Sequence, residues 1–266
     1  MLDDASPSSQ SDRSRIAKLV ARVQEIGPTI EERIAIPGSD HSVTVVRPGD
    51  IDALLEHVVD DPEQNLPYWA AVWPSGIALA AAIAREPEVV RGRRVLELGS
   101  GAGITAAIAM DAGADLIATD YAIEALLLTR LTCRRHTGRE PETYRINWRS
   151  ALPESLPVPP GGFPVVLAAD VLYERRDIVP LLDLVERIVA VDGVLWLAEP
   201  GRPPAATFLE KAEAQGWSIR STRWTGPWPD ASDAGVVARV HLLQRASTQP
   251  GLDNRVEKRQ KQQYRS

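Results

Sequence analysis

The sequence predicts an α/β fold: a doubly wound, mostly parallel seven-stranded sheet with an antiparallel closing strand, preceded by an N-terminal extension. Three observations carry this. From about Pro67 onward, short apolar runs alternate with helix-forming stretches, the signature of a layered domain built on parallel strands. The first apolar run ends in three alternate glycines, Gly99, Gly101 and Gly103, and passes straight into the helix-forming "ITAAIA". Near the end, "SIRSTRW" and "GVVARVHLLQR" are separated only by the turn-rich "TGPWPDASDA", which suits an antiparallel pair at the sheet edge.

Taken in order, residues 1–12 read as a disordered leader, and residues 13–66 as a helix and hairpin extension. Arg13 to Ile26 suits a short helix that stops at Gly27-Pro28. "TIEERIAIPG" and "HSVTVVRP" alternate apolar and polar residues around "PGSD", as a hairpin does. "DIDALLEHVVDDP" reads as a helix with Asp50 as N-cap and Pro62 as stop. In the main domain, residues 67–245, strands are expected at Arg94–Leu98, Leu116–Thr119, Thr143–Asn147, Val165–Ala169 and Val194–Ala198. Helices are expected at Ile104–Ala112, Ala122–His136, Asp177–Val189 and Pro204–Gln215. The third crossover, "SALPESLPVPPGG", carries too much proline for a long helix.

Composition narrows the function classes. No apolar run approaches the ~18 residues of a membrane-spanning helix, and "MLDDASPSSQSD" lacks the order of a secretory signal, so a cytoplasmic protein is expected. The single cysteine, Cys133, excludes an intramolecular disulfide and a multi-cysteine zinc site. The four histidines are scattered and no His, Cys and Asp pattern has metal-ligand spacing, so no metal is expected. The formal charge is −6; residues 246–266, with five basic side chains against two acidic ones, hold +3, which leaves −9 on residues 1–245. That acidic body argues against nucleic-acid binding, and the tail reads as disordered and basic, either solvated or a contact arm.

A strand that ends in a glycine-rich turn and opens a helix lets backbone approach a nucleotide, although glycines there also serve close packing alone. The spacing is Gly-x-Gly-x-Gly with Glu97 two residues ahead, not the Gly-x-Gly-x-x-Gly of dinucleotide sites. The next strand ends in Asp120, placed to accept hydrogen bonds from ribose hydroxyls. Glu97 and Asp120 together favour a ligand with a ribose and a cationic amino-acid end; a nicotinamide enzyme stays open as the alternative.

"VLELGSGAGITAAIA" with the later "IATD" resembles the class I S-adenosylmethionine-dependent methyltransferases, over residues 67 to about 245. The resemblance implies a Rossmann-like methyltransferase fold with S-adenosylmethionine as cofactor. It places Gly99, Gly101 and Gly103 along the amino-acid part of the cofactor, Asp120 on its ribose, and Glu97 and Ala169 in the same binding set. After the fourth strand, "AADVLYE" carries Asp170 and Tyr173 at Asp-x-x-Tyr spacing, which resembles the family-16 protein methyltransferases, many of which act on lysine. "LPYWAAVWPSGIALA" is similar to the aromatic segment of the same group, particularly the lysine methyltransferases of electron transfer flavoprotein β-subunit, where it helps to cover the cofactor. Trp69 and Trp73 also stand at i,i+4, the spacing of two rings packed on one helix face. Trp148, in "RINW", sits where this group places a residue against adenine, with Asn147 where many relatives have Asp.

The expected activity is protein-lysine methylation, with the electron transfer flavoprotein β-subunit as the candidate partner. A small-molecule methyltransferase and a non-catalytic cofactor-binding module are the alternatives. A lysine amine, with an ordinary pKa of about 10.4, must lose its proton before it attacks. Asp170 would orient the incoming ammonium, although its charge favours the protonated form, and Tyr173 would hydrogen-bond the amine or wall its channel. Glu174 and Glu199 are further candidates on the acceptor side.

Overall fold

The computed structural model describes residues 7–50, 52–55 and 66–245. The extension contains α1 (Pro7–Gln24), β1 (Thr29–Ala35), β2 (Ser42–Pro48) and α2 (Asp52–Leu55). The main domain follows as α3 (Pro74–Arg85), β3 (Arg94–Leu98), α4 (Ile104–Asp111), β4 (Asp115–Asp120), α5 (Ile123–Thr137) and β5 (Glu142–Arg145). It continues through β6 (Phe163–Ala169), α6 (Ile178–Ile188), β7 (Val189–Glu199), α7 (Pro203–Ala214), β8 (Trp217–Trp224) and β9 (Ala238–Arg245).

Seven strands form one sheet in the order β5-β4-β3-β6-β7-β9-β8. The first five are parallel, while β9 runs antiparallel to both β7 and β8, so the last strand is inserted inside the sheet and β8 forms the edge. The chain winds from β3 out to β5, then returns to β6 on the other side of β3. Where strand order reverses in this way, a crevice opens at the carboxyl ends of the strands. Register brings three of those ends level: Leu98 of β3 pairs with Thr119 of β4 and with Ala168 of β6. Gly99, Asp120 and Ala169 are therefore the next residues at neighbouring positions.

The central strands are apolar on both faces because helices cover both. Val165 and Leu167 of β6 pack with α3, α4 and the β1-β2 hairpin, whereas Val166 and Ala168 pack with α6 and α7. Helix α3 begins with Pro74 at its first turn, where a fixed φ and a missing N–H cost nothing. Ten of its twelve residues are buried, against α4, β7 and β9. The extension shares a core with the main domain: Leu19 and Val23 of α1 meet Leu127, Leu128 and Leu131 of α5. The Val46 N–H donates to Thr132 Oγ1 at 3.3 Å.

Several expectations shift. Helix α1 begins at Pro7 rather than Arg13 and ends at Gln24. Of the helix expected over 50–62 only Asp52–Leu55 is described, with the Ala53 N–H donating to Asp50 Oδ1 at 3.1 Å, an N-cap bond. Its remainder, and the tail at 246–266, lie outside the described residues. Strand β5 ends at Arg145, which leaves Trp148 in the loop beyond it. Trp69 and Trp73 do not share a helix: Trp69 lies in a 3₁₀ turn at Tyr68–Ala70, and Trp73 is extended (φ −102°, ψ 146°) immediately before α3. Pro74 restarts the chain there, so the i,i+4 spacing has no helical meaning.

Gly103 fixes the fit of α4 against α5. It sits at φ +85°, and a Cβ there would stand 2.7 Å from Thr129 Cα. Gly103→Ala is expected to destabilise the protein by about 2–5 kcal/mol, from left-handed strain plus overpacking, read as a lowered urea midpoint.

Candidate active site

The crevice is a cleft of about 700 Å³. Of the residues singled out in the sequence, Glu97, Gly99, Gly101, Gly103, Asp120, Trp148, Ala169, Asp170, Tyr173 and Trp73 line it. Their convergence follows from the level strand ends.

Glu97 lies on the face of β3 that Val95 buries against α4, and it is 2% exposed. Its Oε2 has no hydrogen-bond partner among the described residues. Burial, and then the charge of Asp120, push its carboxyl up to about 8. Asp120 is held from both sides: Oδ2 accepts from the Gly101 N–H at 3.0 Å and Oδ1 from the Ala122 N–H at 3.1 Å. Burial outweighs those N–H groups and pushes Asp120 up to about 6. The glycine turn is braced by the Thr129 hydroxyl, 3.0 Å from both Ser100 Oγ and the Gly101 carbonyl. Gly99, at φ +70°, packs so closely on Val171 that a Cβ would stand 2.8 Å from that side chain.

Trp148 is fixed by its indole N–H, which donates to Asp177 Oδ1 at 2.9 Å. Fully buried Asp177 also receives Arg149, Nε to Oδ1 at 2.7 Å and Nη2 to Oδ2 at 2.9 Å. Asp170 follows β6 with φ +55°, the only non-glycine residue at positive φ among those described. Its side chain is 8% exposed and receives Ser75 Oγ at 3.3 Å and Arg202 Nε at 3.2 Å. Burial raises the Asp170 carboxyl, and Arg202 opposes that rise. A non-glycine residue held in the left-handed region marks a place where surrounding structure enforces an unfavourable conformation. Tyr173 stacks edge-on with Tyr68, 5.0 Å between centroids, and Tyr68 with Trp73 at 5.9 Å, forming an aromatic wall. Burial and nearby acids hold the Tyr173 phenol well above its ordinary pKa, so it stays protonated.

Tyr68, Ser75 and Arg202 join this site without having been singled out in the sequence, although the aromatic segment quoted there contains Tyr68. Ser75 and Arg202 reach Asp170 from 95 and 32 residues away in the chain, and no local spacing reveals that. Glu174 and Glu199 do not line the cleft. Glu174 pairs with Arg149 and Arg176, while Glu199 points to His241 and Arg239. Among the described residues no three His, Cys, Asp or Glu side chains are grouped to hold a metal ion.

The sequence model of a family described as lysine methyltransferase matches residues 63–215, more than half of the chain. This chain belongs to the lysine methyltransferase family. Among similar proteins, the electron transfer flavoprotein beta subunit lysine methyltransferase of Rattus norvegicus is 33% identical over 146 residues, 52% of each chain. The protein-lysine methyltransferase METTL21E of Mus musculus is 31% identical over 133 residues, covering 47% of this chain and 54% of that one. The chain thus spans about half the length of the curated relatives it matches. The fold matches magnesium protoporphyrin IX methyltransferase from Synechocystis with bound S-adenosylmethionine, at TM-score 0.50 and 13% identity over 92% of this chain and 98% of that one.

The methyltransferase family and fold imply S-adenosylmethionine as cofactor, and the residues present fit it. The unpartnered Glu97 oxygen suits a cationic amino-acid end. A consequence in pH follows. Glu97 is protonated below about 8, so an ammonium that pairs with its carboxylate must displace a proton. Cofactor affinity should therefore rise with pH, at most about tenfold per unit, up to about 8, where an α-amino group itself begins to lose its charge. Calorimetry in two buffers of different ionisation heat checks this, and Glu97→Gln should flatten the profile. The same raised pKa makes the cofactor-free fold less stable as pH climbs from the ordinary carboxyl value of 4.5 towards about 8, because the folded state holds the proton longer than the unfolded chain.

Proposed function

We propose that this chain transfers the methyl group of S-adenosylmethionine to a lysine ε-amine of another protein at the cleft beside β3, β4 and β6. The observation that carries this reading is Asp170, a buried carboxylate at φ +55° on the cleft wall, with the Tyr173 ring in the aromatic wall beside it. When bound, the cofactor supplies an activated methyl group on a sulfonium sulfur. Glu97 holds its ammonium, the glycine turn its amino-acid part, Asp120 the ribose and Trp148 the adenine, with Trp73 and Ala169 closing the cleft. Asp170 orients the incoming ε-ammonium. The rings of Tyr68, Trp73 and Tyr173 enclose its four-carbon stem, an arrangement suited to an apolar stem with a cationic head. Once its proton has left to solvent, the neutral amine held by Asp170 would accept that methyl group, the cofactor serving as the donor and its thioether as the leaving group. Alignment of nitrogen, methyl and sulfur supplies much of the acceleration, so the residues act mainly by positioning.

The similarity to the electron transfer flavoprotein β-subunit lysine methyltransferases of rat and mouse supports that β-subunit as the candidate substrate. A reducing, cytoplasmic setting goes with this reading, since the single cysteine, Cys133, has no partner for an intramolecular disulfide. Incubation with methyl-labelled S-adenosylmethionine and recombinant electron transfer flavoprotein β-subunit, followed by filtration, tests it. Label retained with the protein is expected; protein-bound label no higher than in an enzyme-free control would overturn the reading.

A further inference from the structure

Both oxygens of Asp170 are engaged from other elements, Oδ2 by Ser75 of α3 and Oδ1 by Arg202. Arg202 ends the bend Glu199-Pro200-Gly201-Arg202 between β7 and α7, and this bend is built rather than loose. Buried Glu199 accepts from the backbone N–H of Gly201 and, at 3.1 Å, from that of Arg202. Its other oxygen faces His241 Nε2 at 3.2 Å and Arg239 Nη1 at 3.6 Å. Gly201 sits at φ +92°, where a Cβ would run into the Arg239 guanidinium. From this anchored bend the Arg202 guanidinium reaches Asp170 and also lies 5.9 Å from the centroid of the Trp73 ring. It thus bridges the carboxylate and the aromatic wall.

That placement answers a conflict in the chemistry. A carboxylate that aligns an ammonium also holds the proton on it, yet only the neutral amine attacks. Resting on the lysine reading above, we propose that Arg202 is a positioning residue that neutralises Asp170, so that the carboxylate aligns an incoming lysine without retaining its proton. The other charges around Asp170 do not do this. Glu199 of β7 is offset by His241 and Arg239 of β9, Ser75 of α3 is neutral, and Glu97 of β3 and Asp120 of β4, in the same cleft, are acidic. Arg202 is the basic side chain that contacts Asp170 among the described residues, and its side chain is 40% exposed, so replacing it leaves the core intact.

The test follows the Asp170 carboxyl by carbon-13 NMR against pH in the full-length wild type, Arg202→Met and Arg202→Lys. Loss of the neighbouring cation should raise the Asp170 midpoint by about one unit or more in Arg202→Met, with Arg202→Lys restoring most of the difference. In parallel, the ascending limb of kcat on recombinant electron transfer flavoprotein β-subunit, which reports ionisations in the enzyme–substrate complex, should move about one pH unit higher in Arg202→Met, about tenfold in rate at a fixed pH on that limb. An unmoved Asp170 midpoint would overturn the proposal. So would an equal loss of kcat at every pH, the signature of a merely structural role. If the wild type methylated no lysine while the midpoint still depended on Arg202, the lysine reading would fail and the Arg202–Asp170 pairing would stand.

Discussion

Asp170→Asn lowers kcat by about 10²-fold while the Kd for S-adenosylmethionine stays within about a factor of two; this is the expected result of removing a group that positions the acceptor and not the cofactor. Asn is the informative replacement because it tolerates the left-handed backbone that Asp170 adopts at φ +55°. It keeps a carbonyl oxygen for Ser75 or Arg202 but loses the second carboxylate oxygen that aligns the incoming lysine. Alanine adds backbone strain, so a larger loss in Asp170→Ala with the same cofactor Kd would still be consistent. A large loss of cofactor affinity in Asp170→Asn would move Asp170 out of the acceptor side. Single-turnover assays with equilibrium dialysis separate the two quantities.

The second large effect falls on cofactor binding. Asp120→Ala should weaken S-adenosylmethionine by about 10²-fold or more, since a carboxylate accepting from ribose hydroxyls contributes about 1.5–3 kcal/mol per charge-assisted bond. Alanine also frees the Gly101 and Ala122 N–H groups that Asp120 holds at 3.0 and 3.1 Å. Part of the loss therefore comes from a loosened glycine turn. Asp120→Asn keeps one acceptor oxygen and should fall between wild type and alanine. A cofactor Kd in Asp120→Ala equal to that of wild type would remove Asp120 from the binding set.

The parts of the fold that were legible in the sequence are those set by local pattern. Strand β3 has the bounds expected, Arg94–Leu98, because an apolar run meets a glycine turn there. The glycines and Asp120 were legible together because they end two adjacent parallel strands. What local pattern could not supply came from tertiary packing. The spacing of Trp69 and Trp73 suggested a helix, yet Pro74 begins the helix one residue after Trp73, and proline at a first helical turn is the signal that marks the boundary. Trp148 was placed at a strand end; its orientation depends on Asp177, 29 residues on, through a bond that no window of the sequence contains. Glu199 invited a role on the acceptor side, whereas it is spent on His241, Arg239 and the bend that carries Arg202.

Protein-lysine methylation by this cleft is tested most directly by mass spectrometry of recombinant electron transfer flavoprotein β-subunit after incubation with the enzyme and S-adenosylmethionine carrying a deuterated methyl group. Deuterated Nε-methyllysine is expected, dependent on Asp170 and absent without enzyme. Deuterium on arginine alone, or an unmodified β-subunit with cofactor binding confirmed, would contradict it.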